Sequence, residues 1–126
     1  NTHDGKGFEL LKKNNIKVGI ITSENTLIVE KRAEKMKLDY LFQGLEHNGK
    51  LNVALEICKK ENISLNEVAY IGDDINCIEL LQNVGLAACP SNAILEVKTI
   101  PHINIMTHKG GEGAVREFAS LILNTY

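Results

Sequence analysis

With 126 residues the chain has room for one domain around one hydrophobic core. A composition of 44% hydrophobic and 24% charged residues is that of an ordinary soluble globular protein. The formal charge of −2 leaves no positive excess for a nucleic-acid backbone, and no apolar run is long enough to span a membrane, so neither partner is expected.

In chain order, Phe8, Leu10 and Leu11 give an apolar face to a predicted helix over about residues 5–14. "IKVGIIT" reads as a buried strand. Next, the apolar residues of "TLIVEKRAEKM" recur at Ile28, Ala33 and Met36, with acids early and bases late, and predict a helix obeying its dipole. "YLFQ" is a short strand. In "KLNVALEICKKEN", Leu51, Ala54, Leu55 and Cys58 fall at i, i+3, i+4 and i+7 and predict one buried helical face. "VAYIG" is a strand, and "INCIELLQNVG" a helix closed by Gly85 as its C′ residue. "LAAC", "NAILEVKT", "INIM" and "EGAVREFASLILNTY" complete the series as strand, short helix, strand and final helix. Strands alternating with helices predict an α/β fold, a Rossmann-like parallel sheet flanked by helices in three layers. No repeat, linker or low-complexity segment divides it. The lysine-rich clusters ("LLKKNN", "EKRAEKMK", "CKKEN") are interleaved with acids or apolar residues and read as solvated helix faces.

Cys58, Cys77 and Cys89 are odd in number and form no CxxC pair, which argues against a zinc site or a disulfide framework and suits a reducing cytoplasm. No signal peptide is recognisable. The chain opens on "NTHDGKG", without an initiator Met. His3, His47, His102 and His108 have no ligand spacing and are assigned no role.

Ligands of open parallel sheets gather beyond the carboxyl ends of the strands. Thr22 and Ser23 end the first strand there, Asp73 and Asp74 the third, and Lys50 follows the second strand and the loop "GLEHNG". Each has a local explanation. Ser23 or Asn25 can cap a helix, and Asp73 or Asp74 can cap the helix starting at Ile75. Lys50 opposes the dipole of the helix it begins, a misplacement that an exposed side chain could evade. Together they supply hydroxyl and backbone donors, a point charge, and hard oxygen ligands: three parts of a phosphoryl-transfer site with Mg²⁺.

The order "IIT", Lys50 and "YIGDD" resembles three motifs of the haloacid dehalogenase superfamily of phosphatases. Across nearly the whole chain, "KLDYLFQG", "VAYIGDDIN", "VGLAACP" and "KGGEGAVREF" resemble its small capless members that act on 3-deoxy-D-manno-octulosonate 8-phosphate. They are similar also to relatives acting on nonulosonate (sialic-acid-type) 9-phosphates, some of them fused to acylneuraminate cytidylyltransferases. The resemblance implies that Thr22, with Ser23 beside it, binds the transferring phosphate and that Lys50 neutralises it. It makes Asp73 a Mg²⁺ ligand and Asp74 an additional one, with Lys50 and Asp73 as the catalytic members present. Glu24 and Arg32 match substrate-facing positions of the nonulosonate group; eight residues apart, they share a helix face only if Glu24 lies in that helix's first turn. It also implies a homotetramer in which "KGGEGAVRE" closes over a site, often a neighbour's.

Two departures stand out. The superfamily uses an aspartate nucleophile and an acid/base in a DxD motif on a first, central strand, and no DxD occurs in these residues. Asp4 matches a later position near the substrate pocket. The expected fold therefore lacks its central strand, between those of Thr22 and Asp73, and should expose two inner strand edges. A truncated chain is the favoured explanation, beside a strand supplied by another chain and a core that has lost catalysis. The usual GDDxxD pattern also ends here on Cys77, whose neutral thiol cannot replace a carboxylate that orients Mg²⁺ ligands. The alternative function is a non-catalytic oligomerising or regulatory module of a cytidylyltransferase. A phosphorelay receiver places its acids first and its Lys last, the reverse of this order, and "KGGEGAVR" lacks the GxGxxG spacing of a dinucleotide site.

Overall fold

A computed structural model describes residues 2–46 and 49–125. His47, and the side chains of His3 and Asp4, lie outside the described residues. The elements run α1 (Thr2–Lys13), β1 (Gly19–Ile21), α2 (Leu27–Met36), β2 (Tyr40–Phe42), α3 (Gly49–Glu61), β3 (Ala69–Ile71), α4 (Ile78–Leu81), β4 (Leu86–Cys89), α5 (Leu95–Lys98), β5 (Asn104–Ile105) and α6 (Ala114–Thr125). Short 3₁₀ turns at Leu65–Glu67 and Ile75–Cys77 precede β3 and α4. All strand pairs are parallel.

The strands form two sheets, β1-β2 and β3-β4-β5. Among the described residues β1 is bonded only to β2, and β3 only to β4, so each presents one open edge, as expected of a sheet without its central strand. Side-chain alternation along β3 and β4 separates two cores. Ala69, Ile71, Leu86 and Ala88 face Leu11 of α1 and Phe118, Ala119 and Ile122 of α6. Tyr70, Ala87 and Cys89 face Cys77, Leu81, Val97 and Ile100 on the opposite side. The result is the predicted three-layer α/β arrangement.

Several boundaries differ from expectation. The first strand is shorter than "IKVGIIT" because Ile16 still closes α1: its N–H donates to the Leu11 carbonyl at 3.1 Å while Asn15 takes a left-handed φ of 62°. In α2, Ala33 is buried but Ile28, in the first turn, is 71% exposed. In α3 the buried face is Lys50, Val53, Ala54 and Cys58, with Leu55 exposed, a rotation of the predicted stripe that turns Lys50 inward. Gly85 caps no helix. The helix of that segment ends at Leu81, and Gly85 instead lies against the Leu65–Glu67 turn, where a Cβ would fall 1.9 Å from the Asn66 carbonyl oxygen.

Candidate active site

β1 ends at Ile21, and the next residue, Thr22, extends the ladder by donating its N–H to the Phe42 carbonyl at 2.9 Å. Its Oγ1 then accepts the Glu24 N–H at 3.1 Å, turning the chain sharply out of the sheet. The loop after β2 is stitched to this turn: Gly44 donates to the Glu24 carbonyl at 2.9 Å and Leu45 to the Thr22 carbonyl at 3.2 Å. A left-handed φ of 69° at Gly44 permits that approach. Five residues on from Leu45, Lys50 enters α3, so the segment that delivers the lysine is anchored on the segment that holds Thr22.

Neither Ser23 nor Asn25 caps α2. Thr26 does, accepting the Val29 N–H at 3.2 Å while its own N–H donates to Gln43 Oε1. Ser23 is left exposed, and its Oγ accepts Asn76 Nδ2 at 3.5 Å. Glu24 lies two residues before the cap, outside the first turn of α2, so it does not share a helix face with Arg32; both side chains are exposed.

Beyond β3 the two aspartates have separate situations. Asp74 caps the Ile75–Cys77 turn, Oδ1 accepting the Ile75 N–H at 2.6 Å. The Asp73 carboxylate is exposed and has no hydrogen-bond or ion-pair partner among the described residues, while its backbone carbonyl accepts from Ile94 N–H at 3.2 Å. The Asp73 carboxylate thus keeps both oxygens open, with Asp74 beside it. No three His, Cys, Asp or Glu side chains are grouped as a metal site among the described residues. One or two carboxylates fit Mg²⁺, which keeps several waters and takes its other oxygens from substrate.

Lys50 is not the exposed side chain that could evade the dipole. It is 7% exposed, the buried charged residue of the described chain, and Nζ lies 3.4 Å from Cys77 Sγ. The Tyr70 hydroxyl donates to the same sulfur at 3.3 Å. Desolvation first, and the neighbouring Cys77 second, push the Tyr70 phenol well above its ordinary ionisation range, so it stays a neutral donor. The Ile75–Cys77 turn is thus where the candidate residues meet: Ser23 through Asn76, Lys50 through Cys77, and Asp73 and Asp74 immediately before it. Tyr70 and Asn76 had no assigned role in the sequence; a phenol two residues before the Gly-Asp-Asp and an amide two residues after it were the only signals.

The "KGGEGAVRE" segment approaches the carboxyl end of β4. Gly110 N–H donates to Asn92 Oδ1 at 2.9 Å, and Ser91 N–H to the His108 carbonyl at 2.9 Å. Glu117 fastens its start, accepting from the Thr107 N–H and hydroxyl, the His108 N–H and the His108 ring at 2.8 to 3.1 Å. Partial burial opposes the Glu117 charge, but these hydrogen bonds outweigh it and hold the carboxyl down at about 2.

The haloacid dehalogenase-like hydrolase family profile matches residues 6–89, more than half of the chain. The chain belongs to this family. Curated relatives include the 3-deoxy-D-manno-octulosonate 8-phosphate phosphatase KdsC of Salmonella typhi, 35% identical over 98% of this chain. The chain spans 64% of that relative's length. Among solved structures, a probable YrbI family phosphatase of Pseudomonas syringae is 38% identical, with a TM-score of 0.92 over 98% of this chain and 69% of that one. The 3-deoxy-D-manno-octulosonate 8-phosphate phosphatase of Moraxella catarrhalis, solved with a magnesium ion, a phosphate ion and KDO, is 32% identical with a TM-score of 0.90, over 98% and 69% of the two chains. For this family member, the three cysteines are free and buried, and no helix among the described residues is long and apolar enough to cross a membrane.

Proposed function

We propose that this chain carries the phosphate-binding and Mg²⁺-binding side of a phosphatase for an acidic sugar phosphate. The substrate class is 3-deoxy-D-manno-octulosonate 8-phosphate or a nonulosonate 9-phosphate. The observation that carries the reading is the meeting of the Thr22–Ser23 loop, buried Lys50 and free Asp73 at one turn beyond the strand ends. Similarity to enzymes named for the octulosonate phosphate supports the substrate.

In this reading Thr22 and Ser23 donate hydroxyl and backbone hydrogen bonds to the phosphate oxygens. Lys50, held in a water-poor position, neutralises charge that grows on the phosphoryl group, where a fixed cation acts most strongly. Asp73, with Asp74 second, would hold Mg²⁺, which when bound polarises the phosphoryl oxygens as a Lewis acid. Glu24 and Arg32 would contact the sugar acid. An Asp-x-Asp nucleophile pair is absent from these residues, and the open edges of β1 and β3 support its supply by a strand between them. A homotetramer whose "KGGEGAVRE" segments border the sites, in the cytoplasm, completes the proposal.

The test is phosphate release from both sugar phosphates by the full-length gene product with Mg²⁺. Activity is expected on one of them, falling about a hundredfold to a thousandfold in Lys50→Ala and lost with Mg²⁺ dependence in Asp73→Asn. No release from either substrate would exclude the reading. Cys77 in the last acid position favours a second one, a non-catalytic module associated with a cytidylyltransferase. That reading fails if the full-length protein turns over either phosphate.

A further inference from the structure

Among the described residues, Cys77 alone of the three cysteines has a side-chain amine within hydrogen-bond distance. Lys50 Nζ stands 3.4 Å from its sulfur, and the Tyr70 hydroxyl donates to the same atom at 3.3 Å. Cys58 and Cys89 are buried too, receive no side-chain donor among the described residues, and have thiols pushed up by burial.

The Lys50–Cys77 contact does not use the open edges of β1 and β3. Lys50 comes from α3 and Cys77 from the turn before α4. The sulfur's residue packs with Tyr70, Leu81 and Val97 on one face of the sheet, not within it. Gly72 confines it from the end of β3, where a Cβ would come within 2.8 Å of Sγ. A strand between β1 and β3 would bring carboxylates toward the ammonium. Lys50 has three N–H donors, so a carboxylate that takes one of them does not displace the sulfur.

Cysteines oxidised by peroxide sit beside cations and within reach of solvent. Cys77 has the cation, and its route from solvent is the one a phosphate must take to Lys50, whose nitrogen is 3.4 Å away. Hydrogen peroxide is close to water in size and passes where a bulky thiol does not. Attack of the sulfur on one peroxide oxygen forms an S–O bond, breaks O–O, releases water and oxidises the sulfur by two electrons to a sulfenic acid. Lys50, having given a proton to water, then attacks the sulfur; an S–N bond forms, S–O breaks and a second water leaves. Sulfenic acids condense in this way with a neighbouring nitrogen. Thiol, amine and one peroxide thus yield a sulfenamide and two waters.

We infer that Cys77 and Lys50 form a peroxide-sensitive switch, in which a reversible sulfur–nitrogen link between them removes the cation of the phosphate site. That the link silences a phosphatase rests on the reading of Lys50 as the phosphate-binding cation; the link itself does not. A carboxylate at position 77 could not form it, so the departure from the family's acidic pattern acquires a consequence.

The test is peptide mass spectrometry of the full-length protein after treatment with stoichiometric hydrogen peroxide. A Lys50 peptide joined to the Cys77 peptide is expected, about 2 Da lighter than the two together. Dithiothreitol should release it, and Lys50→Arg, whose guanidinium stays protonated, should not form it. Phosphate release should fall at least about tenfold as the link forms and return with dithiothreitol, whereas Cys77→Ser, compared with its own untreated rate, should lose less than about twofold. Cys77 recovered without the link, as free thiol or as sulfinic or sulfonic acid, overturns the inference. Oxidation of Cys58 or Cys89 ahead of Cys77 overturns it as well. A link formed with activity retained would instead refute Lys50 as the phosphate-binding cation. If the full-length protein turns over neither sugar phosphate, the phosphatase reading fails and the peptide masses still decide the link.

Discussion

At the scale of single residues, the site depends on one absent side chain. Gly72 precedes two aspartates and takes no unusual φ; its requirement is steric, set by Cys77 five residues later. Replacing it with Ala forces a methyl into a contact of 2.6 Å with the Cys77 Cβ, and neither atom sits on a flexible chain end. Gly72→Ala is expected to destabilise the protein by about 1–3 kcal/mol, as overpacking does, read as a lower urea midpoint at unchanged slope. A stability equal to wild type would show that the turn yields freely, and with it the grip on Lys50. The candidate residues themselves were legible because carboxylates, hydroxyl and lysine occupy strand ends in a fixed order. The burial of Lys50 was not: a helix stripe is read from apolar residues, so the positive side chain that shares the inner face was left out of the pattern, and the predicted face came out rotated.

At the scale of elements, the helix ends were the least legible feature, because they are set by backbone conformation and by single side-chain bonds. The sequence pointed to Ser23 or Asn25 as the cap of α2, whereas Thr26 caps it, with its own N–H held by a tertiary contact to Gln43. Its other end closes on Lys37, whose φ of 53° lies in the left-handed region while its N–H bonds back to Ala33 and Glu34. A lysine tolerates that conformation poorly and a glycine well. Lys37→Gly is therefore expected to stabilise the protein by about 0.5–1 kcal/mol, the relief of left-handed strain exceeding the added chain entropy, visible as a raised thermal midpoint. A lowered midpoint would mean that the lysine side chain contributes more than its backbone costs. The type and order of the elements, by contrast, followed from hydrophobic periodicity, which the double-sided packing of β4 between two cores preserved.

At the scale of the whole molecule, the carboxylate of Glu117 joins α6 to the segment that leaves β5. It sits on α6, which with α1 covers one face of the sheet, and it fastens the segment that leaves β5 through Thr107 and His108. Its pKa of about 2, against an ordinary 4.5, makes this fastening a charged one and gives it a pH signature. The folded state holds the proton less tightly than the unfolded chain does, so protonation favours unfolding. The contribution is complete above pH 4.5 and is lost as pH falls from there through about 2. With the side chain 27% exposed, it is worth on the order of 2 kcal/mol. Urea unfolding between pH 6 and pH 2 should show wild-type stability falling across that window. Glu117→Gln, which keeps the shape and part of the hydrogen bonding without the titration, should start lower at pH 6 and decline less steeply. Parallel pH profiles for the two proteins would place the acid sensitivity elsewhere and reduce Glu117 to an ordinary surface contact.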